Sequence, residues 1–206
     1  MTSVKWIKLD TKNIGDRPIQ KEVYHVTKLP ITRMESNRFL EMPNENEIAE
    51  RILKVIDEEA PITEWLLIKR VINSFGIQKA GVHIRTKMFD VLDNMNLKKI
   101  EEYDMPIYWR TSQIPANYKS YRVFSSDEES HRDITNVPIC EIANAVADTL
   151  KENKQMDYES LVRESANKLG YTRLGKNVIV AMKRAVQQAC EKYPMKKEGS
   201  IYRYLR

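Results

Sequence analysis

The chain has 206 residues, 42% apolar and 31% charged, with only 6 Gly and 8 Pro, which excludes a dominantly disordered, collagen-like or linker-like protein. Its 34 Lys and Arg against 29 Asp and Glu leave +5 with neutral histidines, an excess that permits nucleic-acid binding without requiring it. No apolar run reaches 18 residues, which excludes a membrane-spanning helix, and two cysteines are too few for a disulfide framework.

Residues 1–45 are expected to be irregular. Two-residue alternation around Val4, Trp6, Ile7 and Leu9, and again around Val23, His25 and Thr27, predicts short strands there. No continuous apolar stretch precedes a cleavage-like site, so secretion is not expected and a reducing cytoplasm or nucleoplasm fits best.

The next segment occurs twice. Shifting the sequence by 94 residues aligns 47–92 with 141–186 without gaps, and nine of 46 positions are identical, from Glu47/Glu141 to Gly76/Gly170, Gly81/Gly175 and Met88/Met182. Apolar character is kept at Ile52/Val146, Ile56/Leu150, Ile62/Met156, Phe75/Leu169 and Ile84/Val178. Self-similarity over such a span predicts a duplicated unit.

In the first copy, 46–110, a helix over 46–58 carries the stripe Ile48, Ile52, Val55 and Ile56. Pro61-Ile62-Thr63 breaks the helical period, a second helix covers 64–74, and Gly76 ends it where a left-handed backbone costs little. A third helix is predicted over 79–95, with Ile84, Met88, Val91, Leu92 and Met95 inward. Gly81 lies in its first turn, which suggests close approach of another helix or a ligand. Short strands at 97–101 and 107–110 close the copy.

Residues 111–138 read as a linker with a strand at Tyr121-Arg122-Val123-Phe124 and a solvated loop over 125–133. Pro138 then sets the start of the second copy, 139–206. Its helices are predicted at 139–152, after the capping Asp157, and at 173–191, with strands at 195–197 and 201–204 around the turn Glu198-Gly199-Ser200. The expected fold class is α+β, predominantly helical, as tandem duplicated winged-helix-like domains. The strand usual between the first two helices shrinks to the residues around Ile62 and Met156.

Three segments carry a family resemblance: Glu59-Ala60-Pro61-Ile62, 77–85 (Ile-Gln-Lys-Ala-Gly-Val-His-Ile-Arg) and 169–177 (Leu-Gly-Tyr-Thr-Arg-Leu-Gly-Lys-Asn). The connection from Arg122-Val123-Phe124 through Arg132 and Pro138 to Ile142 adds a fourth. Over roughly 22–206 the chain resembles an uncharacterised domain near the C-terminus of large bacterial superfamily 1 helicase-like proteins. That domain often follows a nuclease domain related to very-short-patch repair endonucleases. The resemblance implies proximity to helicase and nuclease chemistry and brings no catalytic residue. The family's usual Arg or Ser near Val82 and His83 is absent, and helicase and nuclease motifs are absent too, so the chain is expected to be either part of a larger protein or a stand-alone relative.

Little points to an enzyme. His25, His83 and His131 are scattered, and neither a phosphate loop, a Gly-x-Ser-x-Gly elbow nor a His-Glu-x-x-His helix occurs. The carboxylates Glu58-Glu59 and Asp127-Glu128-Glu129 do not suggest a metal cage. No catalytic residue, cofactor or metal is therefore expected.

The nucleic-acid candidates lie on the third helices and the second hairpin, because a winged helix places these against DNA. They are Lys79, Arg85 and Lys87, beside His83 and Thr86, in the first copy, and Arg173, Lys176, Asn177, Lys183 and Arg184 in the second. Arg173, Lys176, Asn177 and Arg184 are expected to share one broad exposed face. Lys196, Lys197 and Arg203 extend the basic region, with Lys192 and Arg206 near it, and Tyr202 and Tyr204 offer either an aromatic edge or core packing, as do Tyr108 and Trp109. Trp6 and Trp65 are expected to pack. Residues 160–206 hold 11 basic and 3 acidic residues, a net of +8, whereas 41–60 hold 2 and 7, a net of −5. This polarity favours the second copy as the binding face. The expected function is a non-catalytic DNA-binding accessory module of a helicase or nuclease system that contacts mainly phosphate; the alternative is a tandem winged-helix protein-interaction scaffold. The expected partners are DNA and a helicase or nuclease protein, or the remainder of a larger chain. RNA stays open, and no membrane is expected.

Overall fold

The computed structural model describes residues 18–41 and 45–205. The alternation around Val4, Trp6, Ile7 and Leu9, and Arg206 at the end, lie outside the described residues. The chain is α+β and predominantly helical. Strand β1 (Gln20–Val23) and helix α1 (Ser36–Glu41) precede α2 (Glu45–Glu59), β2 (Ile62–Thr63), α3 (Glu64–Ser74), α4 (Val82–Asn94), β3 (Lys98–Glu102) and β4 (Met105–Trp109). After β5 (Ser120–Val123) the same order returns: α5 (Ile139–Asn153), β6 (Gln155–Asp157), α6 (Tyr158–Lys168), α7 (Lys176–Lys192), β7 (Met195–Glu198) and β8 (Ile201–Tyr204).

The 94-residue offset maps element onto element. It carries α2 onto α5 and α3 onto α6 end to end, and the start of α4 onto the start of α7. Helix α7 has 17 residues against 13 in α4, and the stretch from the helix end to the last strand, Asn94 to Tyr108 against Lys192 to Tyr202, is shorter by the same four. The offset therefore resumes at the last strand, where Ile62 pairs with Tyr108 and Met156 with Tyr202. Each unit closes as a three-stranded antiparallel sheet, β2-β4-β3 and β6-β8-β7.

The apolar stripes become two cores. Ile48, Ile52, Leu67, Val71, Met88 and Val91 meet in the first, and Ile142, Val146, Leu150, Leu161, Met182 and Ala185 in the second. The flanking segments contribute as well: Tyr24 and Phe39 fill the first core, and Tyr121, Ile134 and Val137 the second. Strands β1 and β5 pair in parallel, so the N-terminal segment and the connection between units are stitched together. Local stop signals behave as their chemistry dictates. Asp157 accepts from Ser160 N at the start of α6, Pro138 is the N-cap of α5, and Gly76 and Gly170 adopt φ of +78° and +94°.

The expectation of a solvated loop over 125–133 needs correction. Ser130 and Arg132 within it are buried, because Arg132 has a buried anion to meet. Glu141, near the start of α5, is fully buried and takes hydrogen bonds from Arg122 Nη2 at 2.6 Å and Arg132 Nη2 at 2.5 Å. Arg122 also donates to the carbonyl oxygens of Glu59 and Pro61, each at 2.7 Å, at the end of α2. Glu59 is itself buried and accepts from Thr27 N, Arg70 Nε and the Tyr24 hydroxyl. The guanidiniums of Arg122 and Arg132 lie over the Tyr24 ring, at 5.1 and 3.9 Å from its centroid. One arginine thus links the first helix of each unit.

Burial alone would raise the Glu141 pKa, but the charges and hydrogen bonds of Arg122 and Arg132 outweigh it and hold the group down to about 2. A carboxylate lowered below its ordinary value stabilises the fold above that value and loses the contribution as pH falls through the folded one. Glu141→Gln leaves two buried guanidiniums without a counter-charge and is expected to cost about 3–5 kcal/mol in urea unfolding at neutral pH. The loss of stability on acidification towards the Glu141 pKa should be smaller in that variant than in the parent, which repeating the titration in acid will measure.

Candidate nucleic-acid interface

Helices α4 and α7 begin later than predicted. Lys79 and Arg173 therefore stand in the preceding loops, and Gly81 and Gly175 are N-caps rather than first-turn residues. A Cβ built on either glycine meets nothing within 4 Å, so neither is required by the approach of another helix. Each helix keeps first-turn N–H groups without a side-chain cap.

The offset also changes which side chains correspond. The first-copy positions equivalent to Lys176, Lys183 and Arg184 are Val82, Phe89 and Asp90. The third helix is thus basic in one unit and apolar, aromatic or acidic at the same positions in the other. In the first unit Val82 is 64% exposed, and Trp65, 41% exposed, meets Phe89 edge-on at 6.1 Å. Trp65 is thus only partly a packing residue. Arg85 is half-buried with its guanidinium 5.8 Å from the Trp65 ring, and Lys87 is half-buried and donates to the Leu40 carbonyl at 3.0 Å. Of the three first-copy candidates, only Lys79 is exposed.

In the second unit all eight candidates are exposed, but they do not share one face. Lys176 and Lys183 are seven residues apart and project to the same side of α7. With Arg173 they have no ion-pair partner among the described residues. Asn177 and Arg184, also seven apart, turn about 100° from them, towards the first unit. There Tyr103, in the β3–β4 turn, donates its hydroxyl to the Arg184 carbonyl at 3.2 Å, and the Arg184 guanidinium lies 4.9 Å from its ring centroid. The expected broad face of residues 173, 176, 177 and 184 is split, because hairpin β3–β4 reaches across to α7.

The second hairpin is less positive than its composition. Lys196 and Arg203 are cross-strand partners, and both reach Glu198, at 3.2 and 3.4 Å. Lys197 lies on the alternate side of the strand, 5.8 Å from the Tyr202 ring. Tyr202 is buried and Tyr204 half-buried against the second core, so these rings pack rather than form an open edge. Tyr108 and Trp109 are buried in the first unit. Lys192 is mostly enclosed and donates to the Tyr118 carbonyl and Asn144 Oδ1; burial lowers its pKa.

Sequence reasoning did not single out Tyr103. Its signal is faint: a turn without glycine, where Tyr103 and Asp104 adopt φ of +51° and +65°. A bulky residue in that region is strained and persists where packing holds it, here the contact with Arg184. Among the described residues, no group of three or more His, Cys, Asp or Glu is placed to hold a metal, and no helix is long and apolar enough to cross a membrane.

A family model described as "Protein of unknown function (DUF3320)" matches residues 37–86. The match spans α2, β2 and α3 and enters α4, well under half of the chain. No curated protein matches the chain.

The split of α7 into two faces has a thermodynamic signature. Lys183→Ala removes an exposed, unpaired cation and should leave unfolding stability within about 0.5 kcal/mol of the parent. Its neighbour Arg184→Ala loses the contact with the Tyr103 ring and should cost about 0.5–1 kcal/mol in the same urea titration.

Proposed function

We propose that the chain is a non-catalytic DNA-binding accessory module of two winged-helix units, in which the second unit grips the phosphate backbone. The observation that carries this is the pair Lys176 and Lys183, two exposed cations on one side of α7 with no carboxylate partner among the described residues. Arg173 and the uncapped N–H groups at the start of α7 extend the positive edge. The order helix, strand, helix, helix, hairpin in each unit supports the winged-helix reading, in which the third helix and the hairpin face the duplex. Lysines without a fixed geometry neutralise phosphate and carry little base information, so binding is expected to be salt-dependent and weakly sequence-specific.

The helicase-associated setting, in bacterial cytoplasm, rests on the resemblance, and the matched span 37–86 contains both first-copy segments that carry it. A second reading concerns the first unit. Val82 stands where the second unit has Lys176, and with Trp65 and Phe89 it forms an apolar, aromatic surface suited to protein. That favours a helicase or nuclease protein, or the remainder of a longer chain, as the partner of the first unit.

Replacing Lys176 and Lys183 together with Ala is expected to weaken duplex binding on the order of tenfold and lower the salt slope by roughly two. Lys79→Ala with Arg85→Ala should change both far less. Fluorescence anisotropy between roughly 50 and 200 mM salt reads both quantities. Equal losses from the two pairs would contradict the assignment to the second unit.

A further inference from the structure

Between hairpin β3–β4 and α7 lies an open slot of about 220 Å³. Its floor is mostly apolar, made by Met105, Ile107, Val137, Pro138 and Ala181, with the Glu102 carboxylate beside them. Its rim is not. Tyr103 stands at one lip, 38% exposed, with the Arg184 guanidinium beside its ring. Asn177 lines the slot from the first turn of α7, and its amide has no hydrogen-bond partner among the described residues. Lys176, the next residue back, opens onto the neighbouring basic side of the same helix.

These features select an occupant. A phosphate would meet the Glu102 carboxylate, a sugar would leave most of the apolar floor uncovered, and an aliphatic side chain would leave the Asn177 amide and the Tyr103 ring unused. A flat group with apolar faces and a polar edge uses all three: its faces meet the floor and the aromatic lip, and its edge meets an amide that both donates and accepts. The cations beside the slot supply the charge complementarity that places such a group on a phosphodiester strand. We propose that the slot receives one unstacked base of a nucleic-acid strand held on the second unit's basic face. This rests on the phosphate-binding reading of α7. It adds that the protein prefers strands whose bases are free, because a base within a duplex is stacked and cannot enter. Strain at Tyr103 fits this role: a bulky residue is kept in a left-handed turn conformation at the lip.

The experiment compares the full chain's affinity for one oligonucleotide as single strand and as duplex, and for a strand of the same length built of abasic sites. The parent should bind the single strand more tightly than the duplex, on the order of tenfold, the scale of one stacked base. The abasic strand should fall to the duplex level. Asn177→Ala and Tyr103→Gly should each remove the single-strand advantage while duplex affinity and its salt slope stay unchanged, and Tyr103→Phe should keep it. Unfolding midpoints verify that the variants are folded. Equal affinity of the parent for single strand and duplex, as expected if the slot takes a protein side chain instead, would overturn the proposal while leaving phosphate binding intact. So would variants that weaken single strand and duplex alike. Absence of binding to any of the three would overturn the phosphate-binding reading and the slot together.

Discussion

Burying the Glu141 carboxylate between two guanidiniums is the constraint on which the arrangement of this molecule turns. A lone charge in that position would cost several kcal/mol, and it is tolerated because Arg122 and Arg132 both reach it. Arg122 is then committed, and its remaining donors go to the carbonyl oxygens of Glu59 and Pro61 in the other unit. The end of α2 and the start of α5 are therefore held by one side chain. Glu59, whose carbonyl Arg122 reaches, repeats the pattern with Tyr24, Thr27 and Arg70. Buried networks of this kind specify one geometry, because any slip leaves a charge or a carbonyl unpaired.

That fixed junction lets one unit shape the surface of the other. With α5 docked at the end of α2, Glu102 of β3 accepts from Cys140 N at 3.3 Å, and Ile107 and Trp109 pack against Cys140. The hairpin carrying these residues extends to α7 and ends in Tyr103 against Arg184. Two equal copies become unequal by this contact. Helix α7 keeps one side open and basic and has the other roofed by its neighbour. The matching positions of α4 carry Val82 and Phe89 with an exposed Trp65 nearby. The two units share one order of elements, and different residues at a handful of positions on the third helix give them different surfaces.

Much of this architecture was legible in the sequence. Periodicity at Ile48, Ile52 and Val55 and at Ile142, Val146 and Leu150 depends on local geometry alone, and these residues are the cores. The short strand expected between the first two helices of each copy, reduced to the residues around Ile62 and Met156, is a sheet member in both. Legibility failed where distant parts meet. Arg132 sits in a stretch as polar as any solvated loop, and only the position of Glu141 makes it a buried residue. Asn177 and Arg184 look like ordinary exposed helix positions until the hairpin of the other unit arrives. The lysines and arginine of the second hairpin read as free charge in composition, yet Glu198 lies between Lys196 and Arg203 once the strands pair.

We propose that nucleic acid is held by the open side of α7 and not by its counterpart in the first unit. Backbone amide shifts recorded by NMR while a short duplex is added to the full chain test this residue by residue. Saturable shifts over 173–183 are expected, with Val82–Asn94 and Trp65 unmoved. Shifts centred on α4 and Trp65, with α7 silent, would contradict it.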